Sequence, residues 1–206
     1  MLKRMAVIAM LAAGPAAATQ EYILPTLFDV TGVAADDVLN IRETPSASAE
    51  IIGNLRPDQT RVEVLALDGS GQWGQLNAGE RTGWVSMRFL AYRSDVWEAG
   101  RLPADLSCVG TEPFWSYHLE GDSLIWSEPG QDVTFAAPQV MDSGYARDPR
   151  RAIYYQDEND VLSATITPAQ CSDNMSAIVY GLETMVIRQN GNQPPRMYSG
   201  CCSIGR

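Results

Sequence analysis

The sequence predicts an all-β protein of two units, a small barrel followed by a disulfide-stapled small β-barrel or sandwich. Three observations carry this. Short runs alternate apolar and polar residues and are cut by Gly, Pro, Asn and Asp turn signals along most of the chain. The first half holds several such runs at close spacing and no helical periodicity, the pattern of a small barrel. All four cysteines, Cys108, Cys171, Cys201 and Cys202, fall in the second half.

The elements follow in chain order. Lys3 and Arg4, the apolar run Met5 to Ala13 and the small residues Ala16-Ala17-Ala18 have the three parts of an export signal, so 1–18 is expected to be cleaved after Ala18. No later apolar run is long enough for a membrane span. The protein is expected in the periplasm or secreted. Cleavage leaves roughly 190 residues, enough for one large or two small domains. The net charge of −10 becomes more negative once Lys3 and Arg4 are gone. An acidic surface repels phosphate backbones and anionic lipid, so neither nucleic acid nor membrane is an expected partner.

Residues 22–92 form the first unit. Leu27-Phe28-Asp29-Val30 alternates. Val38 to Arg42 alternates with Leu39 and Ile41 on one face. Thr44 to Ser48 is a loop by composition, and Ile51 to Leu55 follows. Arg61 to Leu67 alternates with Val62, Val64 and either Leu65 or Leu67 inward. Asp68-Gly69-Ser70-Gly71 is a hairpin turn before Gln72 to Leu76, and Asn77-Ala78-Gly79 is the turn before Gly83-Trp84-Val85. Trp84 reads as core and Trp73 as half exposed, a platform for the apolar or sugar face of a ligand. Asn40 and Arg42 are expected to tie the neighbouring loop.

The runs Val38-Leu39-Asn40-Ile41-Arg42-Glu43-Thr44-Pro45, Gln72-Trp73-Gly74-Gln75-Leu76 and Thr82-Gly83-Trp84-Val85 resemble the bacterial SH3-like (SH3b) domains in order and spacing over about 27–92. The resemblance implies an SH3-like barrel. In many relatives it is an attachment module, often for cell-wall peptides, and it implies no catalysis.

Residues 93–105 carry charge, Gly100 and Pro103, and read as a linker with one short helical turn near Ser94 to Glu98. In the β domain at 106–206, strands are expected at Phe114 to Leu119, Ser123 to Ser127, Val133 to Phe135, Ala152 to Tyr155, Val161 to Ile166, Tyr180 to Ile187 and Arg196 to Cys202. Met141 to Arg151 reads as a long surface loop. Three motifs stand out. Cys108-Val109-Gly110-Thr111-Glu112-Pro113-Phe114-Trp115 opens the domain, Cys171-Ser172-Asp173-Asn174-Met175-Ser176 lies in its middle, and Gly200-Cys201-Cys202 is near its end. Phe114 and Trp115 alternate, so one faces the core and one faces out. Ser172 and Asp173 are placed to accept backbone N–H groups of a following turn. Together the three motifs resemble a family of exported bacterial proteins and lipoproteins without a settled activity, usually read as small, loosely lipocalin-like β-barrels or sandwiches.

An even cysteine count in an exported chain predicts two disulfides. A zinc site is disfavoured, since C-x-x-C is absent and His118 is the only histidine. Adjacent Cys201 and Cys202 in a strand point to opposite faces and take different partners. Two connectivities remain, and Cys171 with Cys201 plus Cys108 with Cys202 is favoured over the swap.

No catalytic constellation is visible. A thiolate or serine nucleophile would need His118 as its base, Gly-x-Ser-x-Gly does not occur, and no phosphate-binding loop is present. The expectation is a non-enzymatic, cofactor-free cell-envelope binding protein whose SH3-like domain engages cell-wall peptide or an envelope protein. Trp73, Trp84, Glu112, Trp115 and Asp173 are the candidate ligand-binding residues. The alternative is a small-molecule carrier or enzyme inhibitor acting through the second domain. The two halves, of which only the second is stapled, are expected to fold independently.

Overall fold

The structure is a computed structural model that describes residues 21–145 and 147–205. The expected signal at 1–18 and its cleavage site lie outside the described residues.

The first half has strands β1 (Thr26–Val30), β2 (Leu39–Arg42), β3 (Ile51–Leu55), β4 (Val62–Val64), β5 (Ala66–Leu67), β6 (Trp73–Ala78), β7 (Arg81–Ser86) and β8 (Leu90–Tyr92). They form two antiparallel sheets, β4-β1-β8 and β3-β2-β7-β6-β5, in an SH3-like arrangement. The run Arg61 to Leu67 is two strands rather than one, because the chain changes sheet at Leu65. Alternation sets the core: Leu39 and Ile41 face in from β2, Leu76 from β6 and Val85 from β7, around Phe28 and Val64. Arg42 donates from Nη1 to the Ala49 carbonyl at 2.6 Å and ties the following loop.

The second half is one nine-stranded antiparallel sheet. Its strands are β9 (Ser107–Thr111), β10 (Phe114–Glu120), β11 (Ser123–Glu128), β12 (Gln131–Ala136), β13 (Gln139–Asp142), β14 (Arg151–Gln156), β15 (Asp160–Cys171), β16 (Tyr180–Asn190) and β17 (Arg196–Ser203). The order is β12-β11-β10-β9-β17-β16-β15-β14-β13. The strands β12 and β13 occupy opposite edges, yet only Ala137 and Pro138 separate them. That span reaches at most about 11 Å, so the sheet has to curl until its edges meet at this corner. The result is a half-barrel. The ends of the expected surface loop Met141 to Arg151 are strand instead: Met141 and Asp142 close β13 and pair with Ala152 and Arg151 of β14. The inner face is filled by aromatic rings. Trp115 stacks on Trp126 at 4.8 Å, and Tyr198 meets Trp126 edge-on at 5.0 Å.

Both disulfides have the favoured pairing, Cys108–Cys202 and Cys171–Cys201. Neighbours on β17 point to opposite faces. Cys202 therefore belongs to the inner core with Cys108, whereas Cys201 turns to the outer face.

The halves share a junction that the spacing of strands did not signal. Strand β1 is buried on both faces: Phe28 lies in the first core and Leu27 in the second. Trp97 donates from Nε1 to the Pro25 carbonyl at 2.8 Å. Arg61 Nε donates to Asp105 at 2.8 Å, and Asn77 Nδ2 to the Val179 carbonyl at 2.8 Å. The 93–105 stretch is packed rather than a free tether. Val96 is part of the second core, with Trp97 and Leu102 against it, and Ser94 to Glu98 makes turns instead of a helical turn.

Candidate functional site

Two surfaces collect the sequence-predicted residues. The first is the outer face of the five-stranded sheet. Strand pairing sets Gln75 opposite Trp84 and Trp73 opposite Ser86, so the two tryptophans are diagonal neighbours on one face. Both are half-buried. This corrects the core reading of Trp84. Its strand neighbours Gly83 and Val85 take the inward positions, and period-two alternation sends Trp84 out. Arg42 pairs with Trp84 across β2 and β7. At the other end of the face, Asn77 and Thr82 are occupied by the second half: Thr82 Oγ1 donates to the Ala177 carbonyl at 3.2 Å, and the Val179 N–H donates to Asn77 Oδ1 at 3.3 Å.

The second surface is a groove of about 820 Å³ on the outer face of the half-barrel. All three cysteine motifs line it, through Gly110 to Glu112 and Phe114, Cys171 to Met175, and Gly200-Cys201. The Cys171–Cys201 bridge forms part of its wall, and Thr111 Oγ1 donates to the Asp173 carbonyl at 3.3 Å, joining the first motif to the second. Phe114 is 56% exposed and Met175 67%.

The carboxylates of this groove do different things. Asp173 Oδ1 accepts the backbone N–H groups of Met175 and Ser176, each at 3.0 Å, and the Ser176 hydroxyl at 3.1 Å. The Met175 N–H foremost, then Ser176, holds the Asp173 carboxyl below the usual range. Its hydrogen-bonding capacity is spent on its own loop. Glu112 and Glu183 are exposed and have no hydrogen-bond or ion-pair partner among the described residues. Sequence reasoning missed Glu183, Phe114 and Met175 as parts of this surface. For Glu183 a signal existed: Leu182, Thr184 and Val186 are inward on β16, so Glu183 faces out beside Cys201, its register partner.

Trp115 is a second correction. It is 4% exposed and is part of the core, because Phe114 takes the outward position. Gly110 and Gly200 border its ring. A Cβ at Gly110 would collide with the Trp115 indole, and one at Gly200 would collide with the Val109 carbonyl and lie 2.8 Å from Trp115 Cζ2. The glycines of the first and third motifs thus leave room for the tryptophan of the first.

The interior also holds an ion pair. Arg188, 5% exposed, donates from Nη1 to Glu128 Oε2 at 3.1 Å and lies with Nη2 3.8 Å from Asp160 Oδ1. Its guanidinium sits 5.4 Å from the Trp126 ring. His118 faces outward, with Nε2 3.3 Å from Glu120.

The fold and these surfaces define an all-β protein with an SH3-like unit and a disulfide-stapled half-barrel. Residues 37–91 match the family model of the bacterial SH3 domain. No curated protein and no solved structure matches the chain. The SH3 match and the two disulfides point to an extracytoplasmic protein.

Proposed function

We propose that this is a non-enzymatic binding protein of the bacterial cell envelope, periplasmic or secreted, whose SH3-like domain holds cell-wall peptide on the face carrying Trp73 and Trp84. The observation that supports this reading most is the pairing of β6 with β7. It sets two half-buried indoles diagonally on one outward surface, within residues that match the bacterial SH3 domain. Adjacent aromatic faces offer apolar area at little entropic cost, and Arg42 beside Trp84 adds a cation for a peptide carboxylate. Sulfur nucleophiles are disfavoured because all four cysteines are in disulfides. The alternative of a carrier is weakened by the interior of the half-barrel, which stacked aromatic side chains occupy.

The test is co-sedimentation of the mature chain with purified peptidoglycan sacculi. Trp73→Ala and Trp84→Ala should each weaken binding by about 1–2 kcal/mol, the scale of one lost aromatic contact, with the fold intact. Sedimentation unchanged in both variants would remove the binding face from the tryptophans.

A further inference from the structure

The groove of the half-barrel is not used by this reading, and its chemistry is specific enough to name an occupant. Its two free carboxylates, Glu112 and Glu183, stand beside the exposed apolar side chains of Phe114 and Met175. The apolar surface continues past the groove. On the outer face of the same sheet, Met185 is paired with Ser199 and Ile187 with Met197, and Met185, Ile187 and Met197 are 45%, 48% and 67% exposed. Isolated exposed apolar residues are ordinary, but a contiguous band ending in an acid-lined groove is the pattern of an interaction surface. The walls are fixed in advance by the Cys171–Cys201 bridge and by the Asp173-capped turn, so little ordering is left for binding to supply.

We propose that this groove and band bind a polypeptide segment of a partner protein that presents lysine or arginine next to apolar side chains. Charge complementarity selects the cation: the groove offers carboxylates without partners among the described residues, and the chain carries a net charge of −10. The band selects an elongated ligand over a small amine, because the exposed methionines extend along β16 and β17 beyond the groove. Methionine side chains adapt to varied apolar shapes, which suits a peptide surface. The proposal is independent of the tryptophan face, which lies on the other unit.

The probe is a fluorescein-labelled decapeptide of alternating lysine and leucine, titrated against the full mature chain by fluorescence anisotropy at physiological salt. Lysine/serine and glutamate/leucine decapeptides serve as controls. Binding of the lysine/leucine peptide should weaken about tenfold or more in Glu112→Gln/Glu183→Gln and in Phe114→Ser, the scale of hot-spot loss. It should stay within about twofold in Glu80→Gln, which removes an exposed acid from the other unit. Met175→Ser replaces Phe114→Ser if thermal melting shows the latter misfolded. The proposal is overturned if the full chain does not bind the lysine/leucine peptide, if Glu80→Gln weakens binding as much as the groove variants, or if the lysine/serine peptide binds as tightly. Sacculus binding by the groove variants should be unchanged, so failure here leaves the tryptophan reading to its own test.

Discussion

Glu63 of β4 accepts the backbone N–H of Ile204 on Oε1 at 3.1 Å, and its other oxygen accepts that of Gly205 at 3.2 Å. One carboxyl of the first unit thereby clamps the tail of the second. Burial in the junction pushes the Glu63 carboxyl up from 4.5 to about 7, against the opposing effect of the two N–H groups. The charge of Glu63 also contributes to raising the Tyr180 phenol, after burial and the charge of Asp173.

A raised acid favours the protonated folded state. Its contribution is therefore fully present below pH 4.5 and is lost as pH rises through about 7. Because the side chain is only partly covered, the expected loss is about 1–3 kcal/mol over that window. Urea melts at pH 4.5 and pH 7.5 measure it. Glu63→Gln should lose less stability between the two than the native chain, and an identical pH dependence would refute the coupling.

Disulfide removal should act unequally. Cys108 and Cys202 are separated by 94 residues and Cys171 and Cys201 by 30. On loop-closure entropy, losing the first by paired serine substitution should cost about 5 kcal/mol and losing the second about 4. Because Leu27 packs in the second core, the loss should be felt by both halves in one shared transition. Two well-separated transitions, with the first half unmoved, would show that the junction does not couple them.

Gly110→Ala and Gly200→Ala should each destabilise by about 1–3 kcal/mol through overpacking. The causes differ. At Gly110 the three nearest atoms all belong to the Trp115 side chain, whereas at Gly200 the nearest is the Val109 carbonyl oxygen, with Trp115 further off. Trp115→Leu should therefore absorb most of the added cost of Gly110→Ala and little of that of Gly200→Ala. Thermal melts of both double-mutant cycles test this, and equal coupling at both positions would contradict it.

Arg188→Met should cost about 3 kcal/mol, because it leaves Glu128 and Asp160 without their shared cation. Adding Glu128→Gln and Asp160→Asn should recover most of the loss. A single variant as stable as the native chain would mean the pair contributes nothing.

Much of this architecture was legible in period-two alternation. It located β10, β11 and β14 to β17 and the opposite orientations of Cys201 and Cys202. On β16, Arg188 continues the inward series Leu182, Thr184, Val186, so a buried cation was readable there. The parity of Trp84 with inward Gly83 and Val85 likewise points it outward. The junction left no such trace. Leu27 and Phe28 read as ordinary strand residues, and only the tertiary arrangement shows that they enter different cores. Glu63 alternates outward between Val62 and Val64 like any solvated acid, and what covers it is 141 residues away. The groove was half legible: its motifs, Met175 included, drew notice, but Glu183 and the methionines of the adjoining band, Met185 and Met197, lie outside them.

The corner at Ala137-Pro138 also bears on how copies of this chain meet. An open nine-stranded sheet would present two unpaired ladders, each a template for a strand from another molecule. Here the chain runs directly from one edge to the other, and both edges are guarded. The β13 edge is tied to the 98–104 stretch through the Gly100 N–H, which donates to Asp142 at 2.7 Å, while β12 exposes Gln131, Asp132 and Thr134. Side-by-side extension of the nine-stranded sheet into fibrils is disfavoured at both edges, which leaves its outer face as the half-barrel's surface for association.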